Sequence, residues 1–183
     1  MIAVEGDAEP SQRERAHCGE DAFFVAETPA VCAIGVADGV GGWADVGVDP
    51  SEFSWALMNN AKDVVRQSKE PESSSLAPKS LLIEAYRRVV SAAKVRAGSS
   101  TACVLTLAKN SGRLEAANLG DSGYMIVRDG KIAVRSKEQQ HDFNFPYQLG
   151  VGGPSDSPRD AETLYALLTL SLSLSLSLSQ WAA

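Results

Sequence analysis

Asp38 ends an apolar run, Val31 to Ala37, and opens a glycine-rich turn, Gly39-Val40-Gly41-Gly42-Trp43. Such a run delivers one carboxylate from the end of a buried strand into a turn with little steric bulk. A second acidic pair, Glu20-Asp21, opens the preceding apolar segment, so two neighbouring strands can bring carboxylates to one place. Oxygen-rich clusters of this kind suit hard cations such as Mg²⁺ or Mn²⁺ rather than zinc or copper. His17, Cys18, Glu20 and Asp21 offer transition-metal ligand types as well. Adjacent residues of an extended segment point to opposite sides, however, which argues against that set. Gly39 to Gly42 lacks the Gly-Lys-Ser/Thr of a nucleotide phosphate loop. Ser99, Ser100 and Thr101 supply hydroxyls but no paired base that would make one a nucleophile.

The elements that must position these groups follow from periodicity. Ala22 to Ala26 and Val31 to Ala37 are short apolar runs joined through Thr28-Pro29, the pattern of paired strands in a sheet. Asp49 as N-cap, Pro50 as first helical residue and Glu52 in the first turn predict a helix over Ser51 to about Gln67. Phe53, Leu57, Ala61 and Val64 form its apolar face. Lys69 to Ser80 is a polar loop, and a second helix is expected from Leu81 to about Arg96. Thr101 to Ala108, Leu114 to Asn118, Tyr124 to Val127 and Ile132 to Arg135 then read as strands, with Asp129-Gly130 at a type I′ hairpin turn. Asp121-Ser122-Gly123 is a tight turn whose carboxylate is expected to accept backbone N–H bonds, with a role in the acidic cluster as the lesser alternative. Strands, two helices, then a meander of strands make an α+β arrangement, with helices laid on antiparallel sheets.

The whole chain fits this picture. Its 183 residues suffice for one domain with a core, and 44% of them are hydrophobic. A net charge of −6 argues against nucleic acid or an anionic membrane as partner. Cys18, Cys32 and Cys103, an odd number without Cys-x-x-Cys spacing, read as thiols in a reducing compartment. Residues 1–12 are polar, without a targeting pattern, and are expected to be disordered.

From Leu167 the sequence turns to Ser-Leu alternation, uncharged and free of proline. A period-two pattern can form a strand, and an exposed one invites edge-to-edge association. A CT dinucleotide repeat encodes Ser-Leu in every frame of its strand. The expectation is therefore that residues 161–183 are a low-complexity tail translated from unspliced or untranslated DNA. A transcript with mixed Ser and Leu codons would refute it.

Four ordered motifs carry a resemblance: Gly19-Glu20-Asp21-Ala22, Val36-Ala37-Asp38-Gly39-Val40-Gly41-Gly42-Trp43, Gly98-Ser99-Ser100-Thr101-Ala102 and Asn118-Leu119-Gly120-Asp121-Ser122-Gly123. Over about residues 13–150 they resemble the metal-dependent protein phosphatases of the PPM (PP2C) type. Gln139-Gln140-His141, Phe143-Asn144 and the form of the aspartate turn narrow this to the PTC7-like branch. The resemblance implies a β-sandwich flanked by helices, with two Mg²⁺ or Mn²⁺ ions at one end. It implies that Asp38 bridges both metals, that the Gly39 carbonyl ligates one, and that Glu20 serves the second. Asp21 would stand behind them, orienting metal waters. The implied reaction is hydrolysis of phosphoserine and phosphothreonine in proteins, by a metal-bridging water attacking phosphorus in line.

Departures from the pattern accompany it. Val40 stands where many members carry a histidine, and neither Arg13 nor Arg15 has the usual spacing of the phosphate-binding arginine. The family's late metal aspartates have no evident counterparts, since Asp129-Gly130 is a hairpin turn and Asp156 and Asp160 follow no apolar strand. The expectation is a partial phosphatase domain over residues 13–160, incomplete at its C-terminus, with His141 more a structural residue than a general acid. Two function classes stay open: a monomeric, metal-dependent serine/threonine phosphatase, or an inactive relative that binds partners or is unstable. Mitochondrion or plastid is the compartment implied by the resemblance, with no targeting segment to support either.

Overall fold

The computed structural model describes residues 18–68, 76–167 and 172–177. The expected disordered N-terminus, His17, Arg13 and Arg15, residues 69–75 of the 69–80 loop and the rest of the Ser/Leu tail lie outside the described residues. Strands β1 (Ala22–Glu27) and β2 (Val31–Ala37) form a hairpin in which Ala22 faces Ala37. Thr28 sets the turn, its hydroxyl accepting the Val31 N–H at 3.0 Å. Helices α1 (Ser51–Gln67) and α2 (Pro78–Ala92) come next. They are followed by β3 (Gly98–Ser100), β4 (Ala102–Ala108), β5 (Arg113–Leu119), β6 (Gly123–Arg128) and β7 (Lys131–Arg135). Short strands β8 (Gln140–Asp142), β9 (Phe145–Pro146) and β10 (Leu149–Val151) precede β11 (Glu162–Leu167) and β12 (Leu172–Ser177).

The main sheet has the order β1-β2-β4-β5-β11, and a second sheet the order β12-β6-β7. Pleat alternation splits the core into two layers. Ala102 and Val104 of β4 pack with Phe24, Phe53, Leu57, Leu81, Leu82 and Leu119 on the helical side. Cys103 and Leu105 turn to the other face, against Leu114, Ala116, Tyr124 and Ile126. This is the α+β sandwich with flanking helices that the sequence predicts.

Boundaries shift for local reasons. Helix α1 begins at Ser51, with Pro50 before it, and the Asp49 carboxylate accepts the Ser51 N–H at 2.9 Å. Helix α2 starts and ends earlier than Leu81 to Arg96. Pro78 suits a first turn, and extended Ala77 (ψ 122°) is what a following proline favours. Ala93 then turns left-handed (φ 50°) and stops it. The β6–β7 turn has positive φ at Asp129 (52°) and Gly130 (73°), as a type I′ turn needs. Residues 162–167, grouped with the tail in the sequence reading, pair along β5 from Glu162↔Asn118 to Leu167↔Arg113. Among the described residues, no helix is long and apolar enough to cross a membrane.

Candidate metal centre

The β1–β2 register decides where the acidic residues go. With Ala22 opposite Ala37, the residue before β1 and the residue after β2 are neighbours, and Asp21 hydrogen-bonds Asp38. Glu20 is held from its backbone, because the Ser54 hydroxyl at the start of α1 donates to the Glu20 carbonyl at 2.7 Å. Its carboxylate lies over the glycine turn: a Cβ on Gly41 would come within 2.9 Å of a Glu20 carboxylate oxygen.

Beyond β2 the chain keeps strand-like pairing for three residues. Val40 N–H donates to Ser99 O at 2.9 Å and Thr101 N–H to Asp38 O at 3.0 Å, around an antiparallel bridge between Gly39 and Ser100. In that pattern the bonds come from the residues flanking Gly39, so its own N–H and C=O point away from β3. A side chain at position 39 would meet Glu20 O at 2.5 Å and Pro50 O at 2.7 Å. Glycine is required there by close packing of three backbones. The turn continues as a 3₁₀ helix, Gly41–Val46, closed by Gly47 at φ 78°. Trp43 anchors it, its indole N–H donating to Ser99 Oγ at 2.7 Å, and Ser99 donates on to Gln148 Oε1 at 2.5 Å.

Glu20, Asp38 and Gly39 line one open cavity of about 720 Å³. Asp121 and Glu138 line it too, as do Val40, Thr101 and the β8–β9 hairpin through Gln140, Phe143, Asn144 and Phe145. No lysine, arginine or histidine is among these described lining residues. Gathering carboxylates without cations has a cost. Asp21 is pushed up to about 6, first by burial, then by the negative charge of Asp38, the hydrogen bond to Asp38, and Glu20. Asp121 is also raised, chiefly by burial and further by Asp38, although its own N–H and that of Ser122 donate to it. Its Oδ1 is buried without a hydrogen-bond partner.

The sequence therefore anticipates one part of this cavity and misses another. It gives Asp121 chiefly as a turn residue bonded to backbone amides, and does not anticipate that its Oδ1 is buried without a hydrogen-bond partner. Glu138 and the hairpin wall carry no chemical signal of their own beyond the Gln-Gln-His segment. His141 stands apart from the lining: its Nε2 meets Asp156 Oδ1 at 2.8 Å and its ring stacks on Tyr147 at 4.1 Å. The site's match to a divalent cation is limited but real. No group of three or more His, Cys, Asp and Glu side chains among the described residues converges to hold an ion alone. Two carboxylates and an outward-turned carbonyl suit Mg²⁺-like ions, which usually keep several waters and take one or two protein carboxylates. The unpartnered Asp121 oxygen and the proton that Asp21 retains to higher pH are consistent with a cluster of carboxylates that a cation would neutralise.

No family model matches the chain. A zebrafish protein named protein phosphatase PTC7 homolog is 43% identical over 152 residues, covering 79% of this chain and 50% of its own length. The human protein of that name is 44% identical over 152 residues, covering 79% of this chain and 49% of its own. This chain thus spans about half the length of the curated relatives it matches. Among solved structures, the photosystem II phosphatase PBCP superposes with a TM-score of 0.73 at 31% identity, over 90% of this chain and 61% of that one. A serine/threonine phosphatase from S. agalactiae shares the fold, with a TM-score of 0.63 at 16% identity over 86% of this chain and 72% of that one.

Proposed function

We propose that this chain, a PTC7-like relative of the PP2C-type protein phosphatases, hydrolyses phosphoserine and phosphothreonine in proteins with the help of Mg²⁺ or Mn²⁺. The observation that carries the reading is an open cavity in which Glu20, Asp38 and Gly39 meet, walled by further carboxylates and without a cationic side chain among its described lining residues. Glu20 and Asp38 would hold the cation through their carboxylates and Gly39 through its carbonyl, with Asp121 facing them. A divalent ion bound there supplies Lewis acidity, neutralising phosphoryl charge and making water a better nucleophile near neutral pH.

The chain's own groups do the rest. Asp38 is fixed through both of its backbone polar groups, so its carboxylate is presented rather than searched for. Asp21 would orient Asp38 from behind through the hydrogen bond between their carboxyl groups. Val40 lines the cavity but holds no proton, so the one needed by the leaving alkoxide would come from another group or from water.

The test is hydrolysis of a phosphothreonine peptide by the purified, folded chain, with and without Mn²⁺, beside Asp38→Ala. Turnover that needs Mn²⁺ and disappears in Asp38→Ala is expected. Turnover unchanged by either, or none from a folded Mn²⁺-loaded sample, refutes the reading. The absence of a three-side-chain ligand group among the described residues favours one second reading, a weakly loaded relative that binds phosphoproteins without hydrolysing them. A folded chain that captures the phosphopeptide intact would favour it.

A further inference from the structure

Both backbone polar groups of Asp38 end on one residue. Its N–H donates to the Thr101 hydroxyl at 3.1 Å, and its carbonyl accepts the Thr101 N–H at 3.0 Å. Thr101 sits between β3 and β4, is 2% exposed, and shares its hydroxyl with Ser122 Oγ at 2.6 Å. Ser122, 1% exposed, is the residue after Asp121. One buried pair of hydroxyls therefore joins the turn that carries Asp38 to the turn that carries Asp121. A threonine hydroxyl has one hydrogen and two acceptor sites. Bonding Asp38 and Ser122 at once uses most of that capacity, which leaves the geometry little freedom.

We propose that Thr101 is a positioning residue for the cation site, setting the separation and orientation of the Asp38 and Asp121 carboxylates across the cavity. The inference rests on reading that cavity as a cation site. Its physical content is specific. Valine at 101 keeps the shape and the backbone bond to Asp38, but leaves the Asp38 N–H without its partner in a region where buried donors are almost always bonded. It also unties Ser122. Serine keeps the hydroxyl and loses only a methyl group. A structural role for Thr101 in the β-sandwich would show in melting alone; a positioning role shows in cation affinity.

The experiment compares wild type, Thr101→Val, Thr101→Ser, Ser122→Ala and Leu105→Ala. Mn²⁺ affinity is measured by the free-ion electron paramagnetic resonance signal, and thermal melting is followed in chelator. Leu105 lies on the neighbouring strand, packed in the layer away from the helices, and is outside the cation cavity. Thr101→Val is expected to bind Mn²⁺ about 10- to 100-fold more weakly, the usual penalty for losing a group that orients a ligand. Thr101→Ser should recover most of that affinity. Ser122→Ala, which leaves Asp38 bonded but unlinks the two turns, should fall between them and serves if Thr101→Val does not fold. Leu105→Ala should melt lower and bind Mn²⁺ as the wild type does.

Mn²⁺ affinity unchanged in folded Thr101→Val, or an equal loss in Leu105→Ala, overturns the inference and leaves the cation site standing. So does Thr101→Ser binding no better than Ser122→Ala when the valine variant is unfolded. A wild-type chain that binds no Mn²⁺ at millimolar concentration overturns the cation reading itself, and this inference with it.

Discussion

Replacing Asp21 with asparagine, in the presence of chelator, should stabilise the folded chain at neutral pH. Asp21 is held up at about 6 against an ordinary 3.8, by burial and then by the charge and hydrogen bond of Asp38. An acid whose folded value is raised contributes stability that is fully present below the unfolded value and lost as pH rises through the folded one. The stability carried by protonated Asp21 is therefore complete below about 3.8 and gone above about 6. Unscreened, the difference corresponds to about 3 kcal/mol. Asp21 is partly exposed, and solvent screening leaves roughly 1 kcal/mol of that. Asparagine at 21 cannot ionise, so Asp21→Asn should match the wild type at about pH 4 and exceed it by roughly 1 kcal/mol at pH 7.5. That is worth about 2–4 °C in melting temperature for a chain of this size. The assay is urea or thermal unfolding of both proteins in chelator at a series of pH values. A stability difference that does not change with pH, or an Asp21→Asn variant less stable than wild type at pH 7.5, refutes the reasoning. Added Mn²⁺ should reverse the ranking, because the ionised wild-type residue then stands next to positive charge.

Gly39→Ala should destabilise by about 1–3 kcal/mol, the usual range for overpacking, because the added Cβ meets two backbone carbonyls that no rotamer change can move; unfolding in urea measures it. Of the three thiols, Cys103 should resist alkylation in the native protein. It is fully buried in the inter-sheet layer and its pKa is driven far up by burial, so a native-state labelling time course should modify it only as the chain unfolds.

What the sequence makes legible here is local. Val31 to Ala37 followed by Asp-Gly, and Glu-Asp before Ala22, place two acids at adjoining strand ends because strand pairing across a short turn has few possible registers. The layer split of β4 follows from residue parity alone. The bond between Asp38 and Thr101 spans 63 positions, and nothing in either segment's periodicity specifies a hydroxyl reaching a distant amide. Ser99, Ser100 and Thr101 look equivalent as a sequence, yet one anchors Trp43, one has a buried hydroxyl with no hydrogen-bond partner, and one ties Asp38. Only their alternating directions on an irregular strand separate them. Residues 162–167 escape notice for a different reason: the alternating composition near them masks a strand whose partner, β5, lies far back in the chain.

The pairing of Asp38-Gly39-Val40 with Ser99-Ser100-Thr101 also bears on how the molecule breathes. Binding loops are commonly drawn from the low-stability end of a protein, where amides exchange with solvent through small local openings. Here the Val40 amide is bonded to the Ser99 carbonyl of β3 and the Asp38 amide to the buried Thr101 hydroxyl, so their hydrogen exchange requires these contacts around the Gly39–Ser100 bridge to break rather than a loop to fray. The turn that carries Asp38 and Gly39 is then expected to open together with its contacts to Ser99 and Thr101, and slow exchange of both amides would show it.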